Sequence, residues 1–240
     1  MSLVDPSRGV EFSQGVGLMR LGLLVLTNGR DGLLGQALAS AMECLVGGFD
    51  VKVIHDDTGR PDHRQALSSK FPGFRVIGQD SCLGFGGAIS NAWGYLSSMD
   101  LDYIFHLEDD FIFNEEISLS DLVTVLECDR NVQQVALQRQ AWNEEEKIFG
   151  GLLNVRSESY TDAEIGGVPV VLHRNYFTTN PSLYRHSLMS RGWSSGENSE
   201  GIFGITLFEE QPEAVCSFLG RKSDRPKVHH LGITRTGTSY

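Results

Sequence analysis

Three consecutive acids interrupt one of the most hydrophobic segments of the chain, YIFHLEDDFIF at residues 103–113. These acids are Glu108, Asp109 and Asp110. Carboxylates held side by side repel one another, so one of them should take up a proton unless a cation or a hydrogen-bond donor lies between them. Mg²⁺ and Mn²⁺ prefer oxygen ligands and commonly combine one or two protein carboxylates with phosphate oxygens and water. The segment therefore indicates a rigid, buried strand that carries a divalent metal site at its tip.

A second interpretation of the same acids stays open. They could form a solvated turn, or cap the helix that is predicted to begin near Ser118 and Ser120. The position of the acids at the end of a predicted strand, in an alternating series of strands and helices, favours the metal site over the turn.

That alternating series runs through the first 140 residues. The predicted strands are RLGLLVLTNGR, DVKVIHDDTG, FRVIGQD, DYIFHLEDD and VQQVALQRQ. The predicted helices are GLLGQALASAMECLVG, GGAISNAWGYLSSM and SLSDLVTVLECD. Such alternation predicts an α/β fold with a doubly wound, mostly parallel sheet and helices on both faces. Ligands bind beyond the carboxyl ends of the strands in such folds, where the polar segments TNGRD, HDDTG and EDD stand here.

Length and charge narrow the class of protein. The chain has 240 residues, of which 40% are hydrophobic, and a net charge of −11. This charge disfavours nonspecific binding of nucleic acid through its phosphate backbone. The apolar runs are far shorter than the ~20 residues of a membrane-crossing helix, and the first 20 residues lack the apolar block of an export signal. We therefore expect no membrane span and a cytoplasmic location.

The order and spacing of TNGRD, HDDTG, GFGGAISNAW and DYIFHLEDDFIF resemble the nucleotide-sugar-binding half of the GT-A glycosyltransferases, particularly the family 2-like members. The resemblance covers roughly residues 20–140. It implies a GT-A fold and the metal-dependent transfer of a single sugar from a nucleotide-diphosphate donor, with UDP preferred as the nucleotide, to a hydroxyl acceptor. The acidic run is similar to the DxD motif of that family. This similarity implies that Asp110 ligates Mn²⁺ or Mg²⁺ and that Glu108 approaches the donor ribose, or the metal through water.

The resemblance also implies a donor site. Thr27 and Asn28 would line the base and ribose pocket, and Asp56 or Asp57 would accept a hydrogen bond from the base. Asp56 and Asp57 could instead form a turn or a helix cap. The other residues of the predicted donor site are Arg30, Gly86, Gly87, Asn91, Glu108, Asp109 and Arg235.

Gly86 and Gly87 do not belong to a dinucleotide fingerprint, because Ile89 stands where the third glycine is required. They are expected to let the chain pass close to the donor, with Asn91 as a polar contact. Arg235, in a Gly- and Thr-rich segment near the end of the chain, is expected to close over the diphosphate.

The second half should supply a base that takes the proton of the acceptor hydroxyl. The segment GWSSGENSEGIFG stands where GT-A enzymes carry an xED motif, and it favours Glu200 as the base, with Glu197 second. Gly201 replaces the Asp that is common after this position, so the identity of the base stays open. Either acid could instead complement a helix dipole. Near the end, KVHHLGITRTGTSY resembles the segment of GT-A enzymes that carries a metal-binding histidine. This resemblance implies that His230, rather than His229, joins Asp110 and Glu108 at the metal.

The acceptor is expected to contact the segment YFTTNPSLYRHSLMSRGW through Asn180, Arg185 and Trp193, although Trp193 could belong to the core. The sequence does not name the acceptor, which could be a glycan, a protein side chain or a modified nucleobase. Together these expectations divide the chain into an arm, a nucleotide-sugar-binding half, an acceptor-binding half of the same domain and a closing tail, at residues 1–19, 20–140, 141–225 and 226–240.

Two other functions remain as alternatives. A sugar-1-phosphate nucleotidyltransferase would share the α/β sheet and the metal, but it normally has a loop rich in Gly, Arg and Lys after the first strand. TNGRDGLLG has one Arg and no Lys. A non-catalytic nucleotide-sugar-binding module would explain the missing Asp after Glu200.

Overall fold

A computed structural model of the chain describes residues 19–194 and 198–232. The helices of this part are α1 (Asp31–Cys44), α2 (Pro61–Lys70), α3 (Gly84–Leu96), α4 (Leu119–Cys128), α5 (Glu144–Phe149), α6 (Leu152–Val155) and α7 (Ser199–Glu210). The strands are β1 (Leu21–Thr27), β2 (Leu45–Val46), β3 (Val51–Asp56), β4 (Arg75–Ile77), β5 (Tyr103–Glu108), β6 (Phe111–Phe113), β7 (Ile117–Ser118), β8 (Val132–Ala136), β9 (Thr161–Ile165), β10 (Val168–His173), β11 (Ser182–Arg185), β12 (Val215–Leu219) and β13 (Val228–His230). Short 3₁₀ helices occupy Ser157–Ser159 and His186–Arg191.

Nine of these strands form one sheet in the order β4-β3-β1-β5-β11-β8-β12-β10-β9. Within it, β11 is antiparallel to both β5 and β8, and β10 is antiparallel to both β12 and β9. The other seven strands run in one direction. The prediction of a mostly parallel sheet is therefore confirmed. Two smaller sheets pair β13 with β6 and β2 with β7.

Helices cover both faces of the large sheet, as predicted. Alternate residues of β1 point to opposite faces. Leu21, Leu23 and Val25 pack with side chains of α1, α2 and α4, whereas Leu24 and Leu26 pack with side chains of α3 and α7. Because both faces are buried, β1 is apolar along almost its whole length, and its first polar residue comes where the strand ends.

The structure contains elements that the sequence pattern did not predict. The helix α2 buries only His63 and Leu67, so its apolar period is weak, although Pro61 at its first position is a typical start signal. The strand β11 is only four residues long. The polar region after residue 141, expected to be irregular, contains α5, α6 and β9. Among the described residues, no helix combines the length and the apolar character needed to cross a bilayer.

Close packing at Gly204 fixes α7 against the chain that precedes β11. A Cβ atom added at Gly204 would come within 2.6 Å of the Phe177 backbone nitrogen. We expect Gly204→Ala to lower the free energy of unfolding by about 1–3 kcal/mol, even though alanine is the better helix former. At Gly35 in α1, an added Cβ would meet no atom within 4 Å.

Gly35→Ala is the matched control and should raise the free energy of unfolding by up to about 1 kcal/mol. Urea unfolding of both variants measures the two effects. Equal stabilisation by both substitutions would show that α7 is free to shift away from residues 176–177.

Candidate functional site

A cleft of about 450 Å³ opens at the carboxyl ends of β1 and β5. Five segments far apart in the sequence contribute predicted site residues to it. They include Asn28 and Arg30 after β1, Glu108 and Asp110 at the end of β5, and Asn180, Glu200 and His230 from the second half. Its other walls are Phe85, Phe111, Arg139, Trp142, Leu152, Tyr176, Phe177, Thr178, Thr179, Asn198, Gly201 and Gly232.

A guanidinium group lies between the two aspartates of the acidic run. Arg30 donates from Nη1 to Asp110 Oδ2 at 2.6 Å and from Nη2 to Asp109. Asp109 also accepts a hydrogen bond of 2.7 Å from the Thr27 hydroxyl. Both aspartates are buried, whereas the Arg30 side chain is partly exposed to the cleft. The cation that the adjacent carboxylates require is thus supplied, in this structure, by the protein itself.

The three acids differ in how readily they ionise. Burial raises the pKa of Asp109 and outweighs the opposing effects of Arg30 and Thr27. Burial, followed by the negative charge of Asp110, also raises the pKa of Glu108 well above its usual range. For Asp110, burial opposes ionisation, but His230 and Arg30 outweigh it and lower the pKa. Asp110 is therefore the acid of this run that stays most firmly ionised.

His230 reaches Asp110 through the small sheet formed by β6 and β13, whose register places His230 opposite Phe111. His230 Nε2 lies 3.1 Å from Asp110 Oδ2. The imidazole lies between Phe111, stacked at 4.5 Å, and Trp142, at 4.2 Å between ring centroids. The Leu231 N–H donates to the Asp110 carbonyl at 2.7 Å. Both side-chain and backbone contacts thus fix the histidine beside the aspartate.

Gln140, which the sequence analysis did not identify, holds the His230 backbone from the other side. Its Nε2 donates to the His230 carbonyl and its Oε1 accepts from the His230 N–H, both at 2.9 Å. The chain then passes so close to the site that a Cβ at Gly232 would lie 2.4 Å from Asp110 Oδ2. No sequence signal marks Gln140, because its segment has the pattern of a strand end.

The residues at this point fit a divalent cation. Asp110 Oδ1 is buried and has no hydrogen-bond partner among the described residues. In the same part of the chain, no three His, Cys, Asp or Glu side chains converge as a complete metal cage. Mg²⁺ and Mn²⁺ commonly use only one or two protein ligands when a diphosphate supplies others. Asp110 and His230 would hold such an ion.

Glu200, on the first turn of α7, lines the same cleft as the acidic run. Its Oε1 accepts hydrogen bonds from the Thr179 N–H at 2.6 Å and from the Thr179 hydroxyl at 3.3 Å. Burial nevertheless raises the pKa of Glu200. The charge of Glu200 contributes to the raised pKa of Glu108, whereas the Thr179 side chain lowers that pKa. Thr179 thus interacts with both acids.

Gly201, which follows Glu200, lies close to the side chain of Asn198, the residue before α7. Asn198 precedes α7 in the left-handed conformation, with φ of 56°, which Asn tolerates better than most residues. A Cβ at Gly201 would come within 2.6 Å of the Asn198 side chain. A side chain at position 201 would therefore require the Asn198 amide to move from the position it has here.

Asp56 and Asp57 are both buried and engaged in turn contacts. Asp56 accepts hydrogen bonds from the Thr58 N–H and hydroxyl, at 3.1 and 2.9 Å. Asp57 accepts from the Leu83 N–H at 2.7 Å and from Cys82 Sγ at 3.3 Å, and so it anchors the start of α3. These contacts correspond to the turn alternative. A role of either carboxylate in binding the base stays a prediction.

Gly86, Gly87 and Asn91 lie along a second, open groove of about 840 Å³ beside α3. The Asn91 side-chain oxygen is 3.0 Å from His55 Nε2, so Asn91 links α3 to β3. A Cβ at Gly86 would lie 3.1 Å from Ser199 Oγ, which shows that α3 packs tightly against the start of α7. These three residues are not brought into the cleft that holds the acids.

Two of the predicted acceptor residues lie away from the cleft. Arg185 pairs with Tyr103 at the amino end of β5, where it donates to the Tyr103 hydroxyl at 3.1 Å and to the Leu126 carbonyl. Trp193 is buried against Trp93 and Phe203, at centroid distances of 5.1 and 4.7 Å, as the core alternative expects. Only Asn180 of the three lines the cleft.

Two further predicted residues, Glu197 and Arg235, lie outside the described residues.

His63 links Asp56 to α1. Its Nδ1 lies 3.0 Å from Asp56 Oδ2 and its Nε2 lies 2.8 Å from Asp31 Oδ1. Burial alone would lower the pKa of His63, but the hydrogen bonds to Asp56 and Asp31 outweigh it and raise the pKa. The charged imidazole therefore stabilises the fold fully below about pH 6.5, the usual pKa of an unfolded histidine, and this stabilisation is lost as the pH rises through the raised value.

We expect the stability difference between the wild type and His63→Gln to shrink as the pH rises above about 6.5 and through the raised pKa of His63. Urea unfolding at a series of pH values measures it. Gln65→Ala, at an exposed and uncharged position of the same helix, should show no such trend. A difference for His63→Gln that does not change with pH would contradict this account.

The strand order, the acids at the end of β5 and the covering helices define the GT-A glycosyltransferase fold. Two solved structures share it. Mannosyltransferase PcManGT from Pyrobaculum calidifontis, in complex with GDP-Man and Mn²⁺, has a TM-score of 0.59 and 13% identity over 90% of this chain. S. aureus TarS 1–349 has a TM-score of 0.61 and 14% identity over 89% of this chain. The predicted fold is therefore confirmed.

The alignments cover 58% of the mannosyltransferase chain and 61% of the TarS chain, so this chain spans about three fifths of each. No protein-family model and no curated protein matches the sequence.

Proposed function

We propose that this protein is a metal-dependent glycosyltransferase that moves a single sugar from a nucleotide-diphosphate donor, a UDP-sugar in the first instance, to a hydroxyl acceptor. One observation carries the proposal. A single cleft of a GT-A fold combines an ionised Asp110 beside His230 with a second carboxylate, Glu200, held separately on α7. Glycosyl transfer requires that the leaving diphosphate be neutralised, and transfer with inversion also requires a base that takes the proton of the hydroxyl.

The leaving-group side of the site would be formed by Asp110, His230 and Arg30. Asp110 and His230 would hold Mn²⁺ or Mg²⁺, and the bound ion would neutralise the charge that develops on the leaving diphosphate. Glu108, at the edge of the same cleft, is the acid available to the donor ribose. The mannosyltransferase with the same fold was solved with GDP-Man and Mn²⁺, which supports a nucleotide sugar and a divalent ion here.

The acceptor side would be formed by Glu200 and its neighbours. A general base works best when its pKa lies near the working pH. Burial moves the pKa of Glu200 in that direction, while the Thr179 N–H fixes the position of Oε1. A hydroxyl held beside the Glu200 carboxylate could pass its proton to that group as the glycosidic bond forms. Asn180 and Trp142 are the polar and aromatic groups that an acceptor in the cleft would meet.

Donor hydrolysis tests this function without knowledge of the acceptor. The purified protein is incubated with Mn²⁺ and a panel of UDP- and GDP-sugars, and release of the nucleoside diphosphate is measured. Slow release that stops with EDTA is expected. Consumption of pyrophosphate with formation of a nucleoside triphosphate would identify a nucleotidyltransferase. Tight binding of a nucleotide sugar without turnover, with or without a panel of hydroxyl acceptors, would identify a binding module.

A further inference from the structure

Arg30 does not only line the cleft, because it also forms ion pairs with two acids of the acidic run. Its two terminal nitrogens bind separate carboxylates, with 2.6 Å between Nη1 and Asp110 Oδ2. The partners lie 79 and 80 residues away in sequence. Asp109 and Asp110 are almost fully buried, with 0% and 3% exposure. Burial strengthens the attraction between the guanidinium and the carboxylates, because little water screens it.

This arrangement acts against a metal ion. A divalent cation that binds Asp110 must either share the carboxylate with Arg30 or displace the guanidinium. In both cases a positive charge is brought close to another positive charge at a poorly solvated site. The protein alone should therefore bind Mn²⁺ weakly, although Asp110 Oδ1 is available and His230 is in place.

A diphosphate would change this balance. Guanidinium groups bind phosphate oxygens as well as carboxylates, with the same forked geometry. Arg30 Nε is buried without a hydrogen-bond partner among the described residues, and the side chain lines the cleft. A diphosphate in the cleft would give Arg30 a second anion to contact, and would also supply oxygen ligands to the metal.

We propose that Arg30 is the counter-ion of the acidic run. Arg30 opposes metal binding until a nucleoside diphosphate enters the cleft. The inference rests on the proposed function, since it takes a nucleoside diphosphate as the ligand. Metal and nucleotide then bind with positive coupling, and the coupling is the same whichever of the two binds first. Arg30 would prevent the site from being filled by metal alone.

Mn²⁺ binding measured by electron paramagnetic resonance tests this inference, because only free Mn²⁺ gives the sharp signal that is counted. The wild type and Arg30→Gln are titrated without nucleotide and then with saturating UDP or GDP. Without nucleotide, Arg30→Gln should bind Mn²⁺ about tenfold more tightly than the wild type. The nucleotide should strengthen Mn²⁺ binding strongly in the wild type and much less in the variant.

Three further variants serve as controls. Arg30→Lys keeps the positive charge and should bind Mn²⁺ alone as weakly as the wild type. Arg20→Gln removes the same charge from a surface pair with Asp100, at the opposite end of β1, and should change Mn²⁺ binding little. If Arg30→Gln fails to fold, Asp109→Asn is compared with Asp109→Asn/Arg30→Gln, which has no unpaired charge at position 109. The double variant should again bind Mn²⁺ more tightly.

The inference is overturned if loss of Arg30 does not tighten Mn²⁺ binding in either comparison, or if Arg20→Gln tightens it equally. If neither nucleotide binds in any condition, the coupling to nucleotide fails together with the proposed donor. The titrations with Mn²⁺ alone would still show whether Arg30 opposes the metal, so the two failures are distinguishable.

Discussion

Glu200→Gln should slow sugar transfer by about 10²- to 10⁴-fold, the usual contribution of a general base. The amide has the same shape as the carboxylate, and its oxygen can still accept the hydrogen bonds from Thr179. It cannot take a proton from an acceptor hydroxyl. Binding of the donor and the metal should therefore stay within a few-fold of the wild type, and kcat should carry the loss. Release of the nucleoside diphosphate, with and without acceptor, measures kcat, and calorimetry measures donor binding.

Glu197→Gln is the matched control, because it makes the same chemical change three residues earlier. We expect it to keep most of the activity. A large loss in Glu197→Gln together with an active Glu200→Gln would transfer the role of base to Glu197. Full activity in both variants would mean that the proton is taken up elsewhere, and the acceptor side of the site would have to be reassigned.

Asp110→Asn should abolish the metal-dependent stabilisation of the protein by UDP. A ligand at 100 times its dissociation constant stabilises the native state by about 2.7 kcal/mol. For a chain of this size, that corresponds to a rise in Tm of roughly 5–10 °C. The substitution removes the charge that His230 and Arg30 hold ionised, so neither the metal nor the nucleotide that depends on it should bind. Thermal melts with UDP, in Mn²⁺ and in EDTA, measure this effect.

Glu164→Gln provides the comparison for Asp110→Asn, since it removes an acid at an exposed position of the edge strand β9. It should show the same UDP-dependent rise in Tm as the wild type. If Asp110→Asn shows that rise too, Asp110 does not hold the metal, and the proposed leaving-group side of the site is wrong.

Much of the fold was predictable because both faces of the central strands are buried. Residues 21–26 are all apolar, and the chain turns polar at Thr27, so the end of β1 is visible in the sequence. The acids after β5 stand out for the same reason. Hydrophobic patterning therefore located the cleft and the residues that line it on the β1 and β5 side.

Contacts between distant residues were not predictable. The sequence names Arg30 as a donor residue, but nothing in it shows that Arg30 binds two aspartates 79 and 80 residues away. Gln140 is likewise unmarked, because it binds the His230 backbone and so imposes no visible pattern. His230 was identified by family resemblance, whereas its position beside Asp110 follows from the pairing of β6 with β13.

Two predicted acceptor residues, Arg185 and Trp193, lie away from the cleft. Arg185 and Trp193 were assigned to the acceptor from a stretch of sequence, yet that stretch contains β11, which runs back through the sheet. Asn180 precedes β11 and lines the cleft. Arg185 ends β11 and lies beside Tyr103, at the amino end of β5. Because β11 is antiparallel to β5, it begins near the carboxyl end of β5 and ends at its amino end, away from the cleft. Four residues give too short a pattern to reveal this direction.

The same strand constrains the order in which the protein folds. The strands β4, β3, β1 and β5 can associate as soon as residues 21–108 are present. Along the chain, the next strand of this sheet is β8. It cannot pair with β5 directly, because β11 (residues 182–185) must first lie between β5 and β8. Until then the edges of both strands are open to wrong partners. Such dependence on distant segments slows folding. We therefore expect refolding to pass through an early species in which β1, β3, β4 and β5 are protected from hydrogen exchange.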